Sequence, residues 1–388
     1  IKNQSLNYEY RFNYIYNNNE YGHIRWVSII LSIVIVLTLS TVCAYLLVRA
    51  VRSDISKYTE LLNTGFDTQD EYGWKLLKGD IFRAPRYRLL LAVSIGNGIQ
   101  IVSMALFTLF FAVIGFYSTY TRGSLVTCLI VLYILLGTLS GFISARIYKF
   151  FDGEHWKMCV LASALLHPGV IFSALLMINF VIRISSIGSS IPFLTLFELF
   201  SLWTFISIPL TFIGSIYGFK RRAIKSPVKK NLIPRTIPRQ TFYSKRTFAI
   251  LLGGFICFLC IYLQLYFIIQ SIWLRHSYVM FGLLYCAAIL LVVVCAEVAV
   301  VFCYFHLCAE DYRWQWRSFL TVGFTAFYCF IYIALIYSQP DRMSLLGGFV
   351  YFGYSFIMIY MLLLATGSVG FLSCFYVLLK MFSSIKVE

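Results

Sequence analysis

Charged residues are scarce in this chain of 388 residues. They make up 12% of it, whereas soluble domains carry about 25%. Hydrophobic residues account for 60% and aromatic residues for 18%, and the mean hydropathy is +0.80. These proportions exclude a soluble globular protein. The sequence must instead supply membrane-spanning segments, each of which needs about 20 mostly apolar residues.

The short motifs of common enzyme classes are also missing. The sequence contains no Gly-x-Ser-x-Gly elbow, no glycine-rich phosphate loop and no His-Glu-x-x-His zinc helix. Acidic residues are adjacent only as Asp70-Glu71 and Glu310-Asp311. Neighbours in sequence do not face each other on a helix, so these pairs are poor acid and base candidates. We therefore expect no enzymatic activity, no cofactor and no metal.

Nine apolar runs are long enough to cross a bilayer. They lack the short length and strict alternation of barrel strands, and lipid offers an open backbone no hydrogen-bond partners. The sequence therefore predicts an all-α polytopic membrane protein with nine transmembrane helices. In chain order the predicted helices are Trp26–Val48, Leu89–Tyr117, Gly123–Ala145, Met158–Ile182, Pro192–Phe219, Phe248–Ile272, Tyr278–Leu307, Phe319–Tyr337 and Leu345–Leu379.

The net charge of +16 comes from an uneven distribution of basic residues. Segments that follow odd-numbered predicted helices hold 25 of the 32 Lys and Arg residues, and the other side holds 7. The positive-inside rule then predicts a cytosolic C-terminus and a lumenal N-terminus. An odd number of helices also requires the termini to lie on opposite sides. We attribute the basic charge to topology and expect no nucleic-acid partner.

The predicted organisation has three parts. Residues 1–25 are polar with alternating aromatic residues, as at the end of a lumenal domain, and we expect part of that domain to be missing before Ile1. Residues 26–380 form the transmembrane domain, and residues 381–388 form a cytosolic tail. Asn3 begins an Asn-x-Ser sequon and is a candidate glycosylation site on the lumenal side.

Cysteine usage excludes a secreted disulfide framework. All eleven cysteines lie in or at the ends of predicted helices. Cys257 and Cys260 have the spacing of a redox pair, but they lie inside an apolar helix with no adjacent βαβ pattern. We interpret them as small buried residues.

Two predicted cytosolic loops are long. Residues 49–88 mix basic and acidic side chains and are expected to be ordered. Residues 220–247 hold ten basic and no acidic residues, and Pro227, Pro234 and Pro238 favour an extended chain. Basic residues near the anionic leaflet contribute about 1 kcal/mol each to membrane binding. Two readings remain open, in which this loop binds lipid headgroups or only fixes topology.

Ionisable or polar groups within predicted helices are the intramembrane candidates, because such groups are costly in lipid. In helix seven, Glu297 and His306 are separated by nine residues, a rotation of roughly 900°, and so point to opposite faces. His167, next to Pro168, and Asn179 lie in helix four, which we expect the proline to interrupt. These two residues could line a cavity or serve only packing.

Cys303, His306 and Glu310 share one stripe of a continuous helix, at spacings i, i+3 and i+7. Such a stripe can supply metal ligands. A helix end that packs into the following loop explains the same spacing. We favour packing and predict no metal site.

Five segments of the sequence carry distinctive motifs, namely Gly73–Leu76, Gly79–Arg83, Pro209–Gly214, Ile233–Pro238 and Cys303–Phe319. These motifs resemble those of the nonaspanins, the transmembrane-nine superfamily. The resemblance spans residues 20–388 and implies a large lumenal domain before nine helices. It implies residence in Golgi and endosomal membranes, with the cell surface or vacuole as further sites. It also implies roles in sorting and surface delivery of other membrane proteins, adhesion and phagocytosis.

The last of these motifs predicts an ordered cytosolic structure over residues 309–319. Its tryptophans suit a membrane interface, and its arginines can pair with its own carboxylates or with lipid phosphates. The candidate residues of this loop are Glu310, Asp311, Arg313, Trp314, Trp316 and Arg317.

Two functions remain from different classes. The first is a trafficking protein that sorts or delivers membrane proteins by binding their transmembrane segments, with membrane lipids and cargo proteins as partners. The second is a transporter, proton-coupled carrier or lipid scramblase that uses Glu297. The nine helices show no convincing internal repeat, and many transporters have one. This favours the trafficking function.

The C-terminus predicts a sorting signal. The chain ends Lys386-Val387-Glu388. This ending is similar to the Lys-x-Asp/Glu ending by which nonaspanins engage coat protein complex I and stay in the Golgi. Lys386 and Glu388 are therefore the candidate coat-binding residues.

Overall fold

The computed structural model describes most of the chain from residue 73 onward, together with parts of the helix before it. The predictions on residues 1–25, Asn3 and the terminal pair Lys386 and Glu388 lie outside the described residues, as does nearly half of Trp26–Val48. The described residues are 34, 37–46, 48–53, 56, 73–114, 123–185, 190–228, 231, 233–240, 245–274, 281–337 and 345–383.

The described part of the chain is helical, without strands. Apart from helical residues 37–46 and 48–53 and a 3-10 helix over Gly73–Leu77, it forms eleven α-helices. They are α1 (Arg88–Val113), α2 (Ser124–Leu135), α3 (Gly137–Phe150), α4 (Trp156–Ser185), α5 (Phe193–Leu202), α6 (Ile208–Lys220), α7 (Arg246–Leu274), α8 (Phe281–Cys308), α9 (Gln315–Gly323), α10 (Thr325–Tyr337) and α11 (Leu345–Ser383).

Seven helical segments of the described chain are long and apolar enough to cross a membrane. They match predicted helices two to five and seven to nine, which confirms an all-α polytopic membrane protein. The count of nine and the sides of the termini stay predictions. The segments are Arg88–Val113, Ser124–Phe150, Trp156–Ser185, Phe193–Lys220, Leu284–Cys308, Gln315–Ile336 and Leu346–Ser383.

The two prolines inside predicted helices have different effects. Helix α4 runs through Pro168 without a break, so the predicted interruption is wrong. A proline removes only one intrahelical hydrogen bond, and the flanking turns keep theirs. Pro209, by contrast, follows a π-helical turn over Trp203–Ser207, which separates α5 from α6. The wider turn accommodates the missing bond.

Helices α3 and α6 pack with their backbones in close approach. A Cβ atom at Gly214 of α6 would clash with the carbonyl oxygen of Thr138 of α3. A Cβ at Gly141 would clash in the same way with the carbonyl oxygen of Thr211. Each glycine belongs to a Gly-x-x-x-Gly motif. The small residues therefore serve the close van der Waals packing that holds membrane helices together.

One end of the bundle collects most of the basic segments, and we call it the basic end. Arg88, at the start of α1, donates a 2.9 Å hydrogen bond to the carbonyl of Asp152, just after α3. Trp316 of α9 donates one of 2.7 Å to the carbonyl of Arg86. The basic end thus brings together the starts of α1, α4, α7 and α9 and the ends of α3, α6, α8 and α11.

Candidate functional site

Helix α8 ends in a left-handed turn at the basic end. Glu310, two residues after the last helical residue Cys308, has φ 58°. Its N–H donates to the carbonyl of Leu307 at 3.0 Å, and the N–H of Asp311 donates to that of His306 at 3.1 Å. These two bonds form a Schellman motif, which satisfies carbonyls at a helix end. The turn brings Asp311 back beside the last turn of α8.

A buried ion pair follows this turn. Asp311 is 1% exposed, and its Oδ2 lies 2.6 Å from Nη2 of Arg317. The second arginine, Arg313, is mostly exposed, with its Nε 3.5 Å from Oδ1 of the same carboxylate. Arg317 also donates to Nδ1 of His306 at 3.2 Å. The carboxylate therefore holds the start of α9 against the end of α8.

Trp314 lies in the protein core. It is 1% exposed, and its ring stacks on Phe371 of α11 with centroids 5.3 Å apart. Its Nε1 donates to the carbonyl of Ile81 at 2.8 Å. Trp316 is partly buried. The prediction that both tryptophans lie at the membrane interface is therefore wrong for Trp314, whose indole N–H has a main-chain partner instead of water or headgroups.

The segment before α1 is fastened to the same place. Gln315 donates to the carbonyl of Arg83 at 2.9 Å and also lies 3.4 Å from that of Ile81. Within the segment, Arg83 pairs with the buried Asp80 at 2.8 Å. The N–H of Asn231 donates to the carbonyl of Gly79 at 2.9 Å. Residue 231 of the long basic loop therefore pairs with the main chain of this segment.

The proline-containing part of the basic loop contacts the α8 turn. Arg235 lies 3.7 Å from Glu310, and Gln240 donates to the carbonyl of Ala309 at 2.9 Å. Four of the five family-like motifs, from three distant parts of the chain, therefore meet in one assembly. We call it the motif assembly and define it as residues 73–86, 231, 233–240 and 309–317.

The structure does not bring the three residues of the Cys303, His306 and Glu310 stripe together. Cys303 lies beside Cys374 of α11, His306 faces Arg317, and Glu310 pairs with Arg235. The described residues contain no group of three or more His, Cys, Asp or Glu side chains that could hold a metal ion.

Glu297 lies away from this assembly, beside the helical residues that precede the 3-10 helix. The hydroxyl of Ser40 donates to its Oε1 at 2.5 Å. Its Oε2 is buried and has no hydrogen-bond partner among the described residues. The thiols of Cys43 and Cys260 are near enough to interact electrostatically with the carboxyl group. Glu297 and His306 thus lie in separate surroundings, as their spacing predicts.

The other two intramembrane candidates have local partners. His167 is buried, with Nε2 3.2 Å from the hydroxyl of Ser94 and Nδ1 2.5 Å from that of Tyr360. Asn179 exchanges two hydrogen bonds with the main chain of Ile191, at 2.8 and 3.3 Å. His167 therefore joins α1, α4 and α11, and Asn179 joins α4 to the segment before α5.

Sequence reasoning missed a buried polar stripe on α1. Asn97 donates to the carbonyls of Val93 and Ser163, and Gln100 donates to that of Tyr133 at 2.7 Å. With Ser94, these residues recur every three positions in an apolar helix. That period was the available signal, because polar side chains on one face of a membrane helix indicate an interior contact.

Comparison with known proteins completes the description. The sequence model of a family described as endomembrane protein 70 matches residues 1–346. The chain belongs to this family. Transmembrane 9 superfamily member 2 of Mus musculus is 46% identical over 386 residues, which cover 99% of this chain and 58% of the mouse protein. The expected nonaspanin resemblance is thereby confirmed.

Two further relatives extend the comparison. Transmembrane 9 superfamily member 2 of Homo sapiens is 47% identical over 379 residues, 97% of this chain and 57% of the human protein. Member 9 of Arabidopsis thaliana is 41% identical over 368 residues, 95% of this chain and 57% of that protein. The chain therefore spans less than two thirds of the relatives it matches. No solved structure matches it.

Proposed function

We propose that this endomembrane-family protein acts in trafficking, sorting or surface delivery of other membrane proteins and binds their transmembrane segments. Family membership supports a role in the endomembrane system. The basic end is then cytosolic, as the distribution of Lys and Arg favours. Golgi and endosomal membranes are the proposed location, with the cell surface or vacuole as further sites.

The observation that carries the proposal is an aromatic cleft between α7 and α10. Its volume is about 400 Å³, and it opens outward between two apolar helices. The rings of Tyr262 and Tyr332 lie 5.1 Å apart, and those of Phe258 and Tyr328 lie 5.9 Å apart. These contacting rings form the aromatic lining of the cleft. The remaining lining residues are Ile331, Leu335 and Ile336.

The cleft suits an apolar helix because of how membrane helices associate. Lipid tails are as apolar as leucine, so helices gain little from burial and depend on close packing. A preformed cleft offers that packing to side chains of an incoming helix. Ile331 and Leu335 are exposed on its wall, one turn apart on α10.

Site-specific photocrosslinking tests the proposal. A photoreactive residue at Ile331 in native membranes should yield adducts with transmembrane segments of other proteins. The same residue at Leu194, an exposed position on α5, serves as the matched control. Protein adducts of equal yield at both positions, or only lipid adducts at Ile331, would contradict cargo binding at the cleft.

Glu297 favours the alternative of a transporter, proton-coupled carrier or lipid scramblase. A membrane-buried carboxyl group with one unpartnered oxygen is a common feature of ion and proton pathways. Reconstitution into liposomes separates the two functions. Solute or lipid flux that Glu297→Gln abolishes, while Glu198→Gln on the exposed face of α5 leaves it unchanged, would establish the alternative and displace sorting.

A further inference from the structure

A cluster of cations lies where α3, α4 and α6 meet at the basic end. These three helices pack against one another, and residues 151–155 link α3 to α4. We call this place the basic corner and define it by its six cations. They are Arg146 and Lys149 of α3, Lys157 of α4, and Lys220, Arg221 and Arg222 at the end of α6.

Two of these cations have a structural role. Lys149 Nζ donates to the carbonyls of Phe219 and Arg221, at 2.6 and 2.8 Å. Arg146 donates to the carbonyl of Arg222. Both therefore satisfy carbonyls at the C-terminal end of α6, where positive charge is favoured by the helix dipole. The charges of Arg146 and Lys149 are therefore engaged by the main chain at this end of α6.

The other cations at the end of α6 have no counter-charge among the described residues. Lys220, Arg221 and Arg222 are exposed, and no carboxylate lies within 4.0 Å of their charged groups in the part of the chain that the structure describes. Glu154, on the α3–α4 link, is instead directed toward Arg88, at 4.0 Å. Three adjacent positive charges are thus left for an outside partner.

Aromatic residues place the corner at the membrane surface. Trp156 is 49% exposed and packs edge-on against Phe219, with centroids 6.3 Å apart. Tyr217 is 64% exposed. Tryptophan and tyrosine concentrate at the level of the lipid headgroups. The uncompensated cations follow Tyr217 by less than two turns, and Lys157 lies 5.8 Å from the Trp156 ring. They are therefore at the level of the phosphates.

We propose that the basic corner binds the headgroup of a phosphorylated inositol lipid, which carries at least one phosphomonoester beside its phosphodiester. Guanidinium groups bind phosphate through two parallel hydrogen bonds, and ammonium groups add point charges. Three uncompensated cations match a headgroup with more than one negative charge better than a singly charged one. Basic pockets between the cytosolic ends of membrane helices bind such headgroups. The inference does not depend on cargo binding.

Titration of a fluorescent phosphoinositide into the purified full chain in nanodiscs tests the site. Nanodiscs expose both leaflets, so the result does not depend on orientation. Three nanodisc compositions are compared. They are phosphatidylcholine alone, phosphatidylcholine with phosphatidylserine, and phosphatidylcholine with phosphoinositide at the same total charge as the second. We expect the protein to bind the phosphoinositide more tightly than phosphatidylserine. Equal affinity for the two lipids would overturn the headgroup assignment. Displacement by free inositol phosphate at an affinity equal to that of the lipid would indicate a soluble ligand instead.

A charge-matched pair of triple variants locates the site. Lys220→Gln with Arg221→Gln and Arg222→Gln should weaken binding about one hundredfold, because each cation contributes about fivefold. Arg49→Gln with Arg52→Gln and Arg239→Gln removes three exposed cations elsewhere and should leave affinity within about threefold. Equal losses in both would mean general attraction and no site.

A further variant distinguishes a loss of binding from a folding defect. The three side chains are exposed, and the carbonyls that Arg146 and Lys149 cap remain in every variant. Arg221→Lys with Arg222→Lys keeps both charges but loses the paired guanidinium hydrogen bonds, so affinity should fall by clearly less than in the triple glutamine variant. A loss in this variant as large as in the triple glutamine variant would show that the change in binding is structural and would overturn the proposal.

Discussion

The indole Nε1 of Trp314 donates a 2.8 Å hydrogen bond to the carbonyl of Ile81, which lies 233 residues earlier in the chain. Both residues are almost fully buried. The bond therefore joins the start of α9 to the segment before α1 inside the protein. Residues of the basic loop contact the chain just before Ile81 and the chain just before Trp314. This bond therefore lies at the centre of the motif assembly.

The first prediction concerns this bond. Trp314→Phe keeps an aromatic ring against Phe371 but removes the donor. Leaving a buried carbonyl under-satisfied costs about 1–3 kcal/mol. We expect the unfolding temperature in detergent to fall clearly. Trp316→Phe, whose lost bond goes to Arg86 near solvent, is the control and should shift it less. Equal shifts in the two variants would contradict a central role for Trp314.

The second prediction concerns the buried ion pair of Asp311 and Arg317. Removing one partner leaves an uncompensated buried charge and costs about 3–5 kcal/mol. Asp311→Asn and Arg317→Gln should each destabilise strongly, and the double variant should cost well below their sum. The measurement is a double-mutant cycle on chemical or thermal unfolding. Simple additivity would show that the two side chains are not energetically coupled.

Local pattern predicted the helices well because each span depends on its own apolar run. The predicted segment Pro192–Phe219, for example, matches the observed Phe193–Lys220 within one residue at each end. The contact between Trp314 and Ile81 could not be predicted in this way. Nothing in either segment's composition specifies the other, and the pairing is decided by tertiary packing.

The helix end explains why the metal stripe does not form. The spacing of Cys303, His306 and Glu310 places them on one face only if the helix continues to Glu310. Helix α8 ends at Cys308, and Glu310 has the left-handed backbone of the following turn. No glycine marks that turn, so the usual sequence signal for a helix end was missing.

The third prediction tests the packing of α3 against α6. Gly214→Ala adds a Cβ where the carbonyl oxygen of Thr138 lies, so the helices must separate. Overpacking of this kind typically costs about 1–3 kcal/mol. Gly123→Ala is the matched control, since nothing lies within 4 Å of a Cβ there. We expect lower thermal stability and poorer expression for the first variant only. Unchanged stability and expression of the Gly214→Ala variant would contradict the close approach of α3 and α6.

The fourth prediction concerns the proposed C-terminal sorting signal at Lys386 and Glu388. Lys386→Ser with Glu388→Ala should let the full-length protein leak from the Golgi to endosomes, vacuole or cell surface, because a coat subunit loses its charge-assisted hydrogen bonds. Microscopy against Golgi markers measures this. Ser383→Ala with Ser384→Ala changes the same tail without altering its charge and should leave localisation as it is. Unchanged Golgi residence of the charge variant would refute the signal.

The fifth prediction separates the two oxygens of Glu297. Oε1 accepts the hydrogen bond of Ser40, and Oε2 has no partner among the described residues. Glu297→Gln keeps an acceptor for Ser40 and removes a group that is costly when charged in lipid, so stability should hold or rise. Ser40→Ala leaves the carboxyl group without its donor, at a cost of about 1–3 kcal/mol.

Thermal unfolding of these two variants in nanodiscs is the measurement for Glu297. Ser40→Thr keeps a hydroxyl at this position and should restore most of the stability that Ser40→Ala loses. The opposite order, with Glu297→Gln the less stable, would mean that the charged carboxylate itself holds the helices together. In that case Glu297 would have a further partner, since one hydroxyl does not offset the desolvation of a carboxylate.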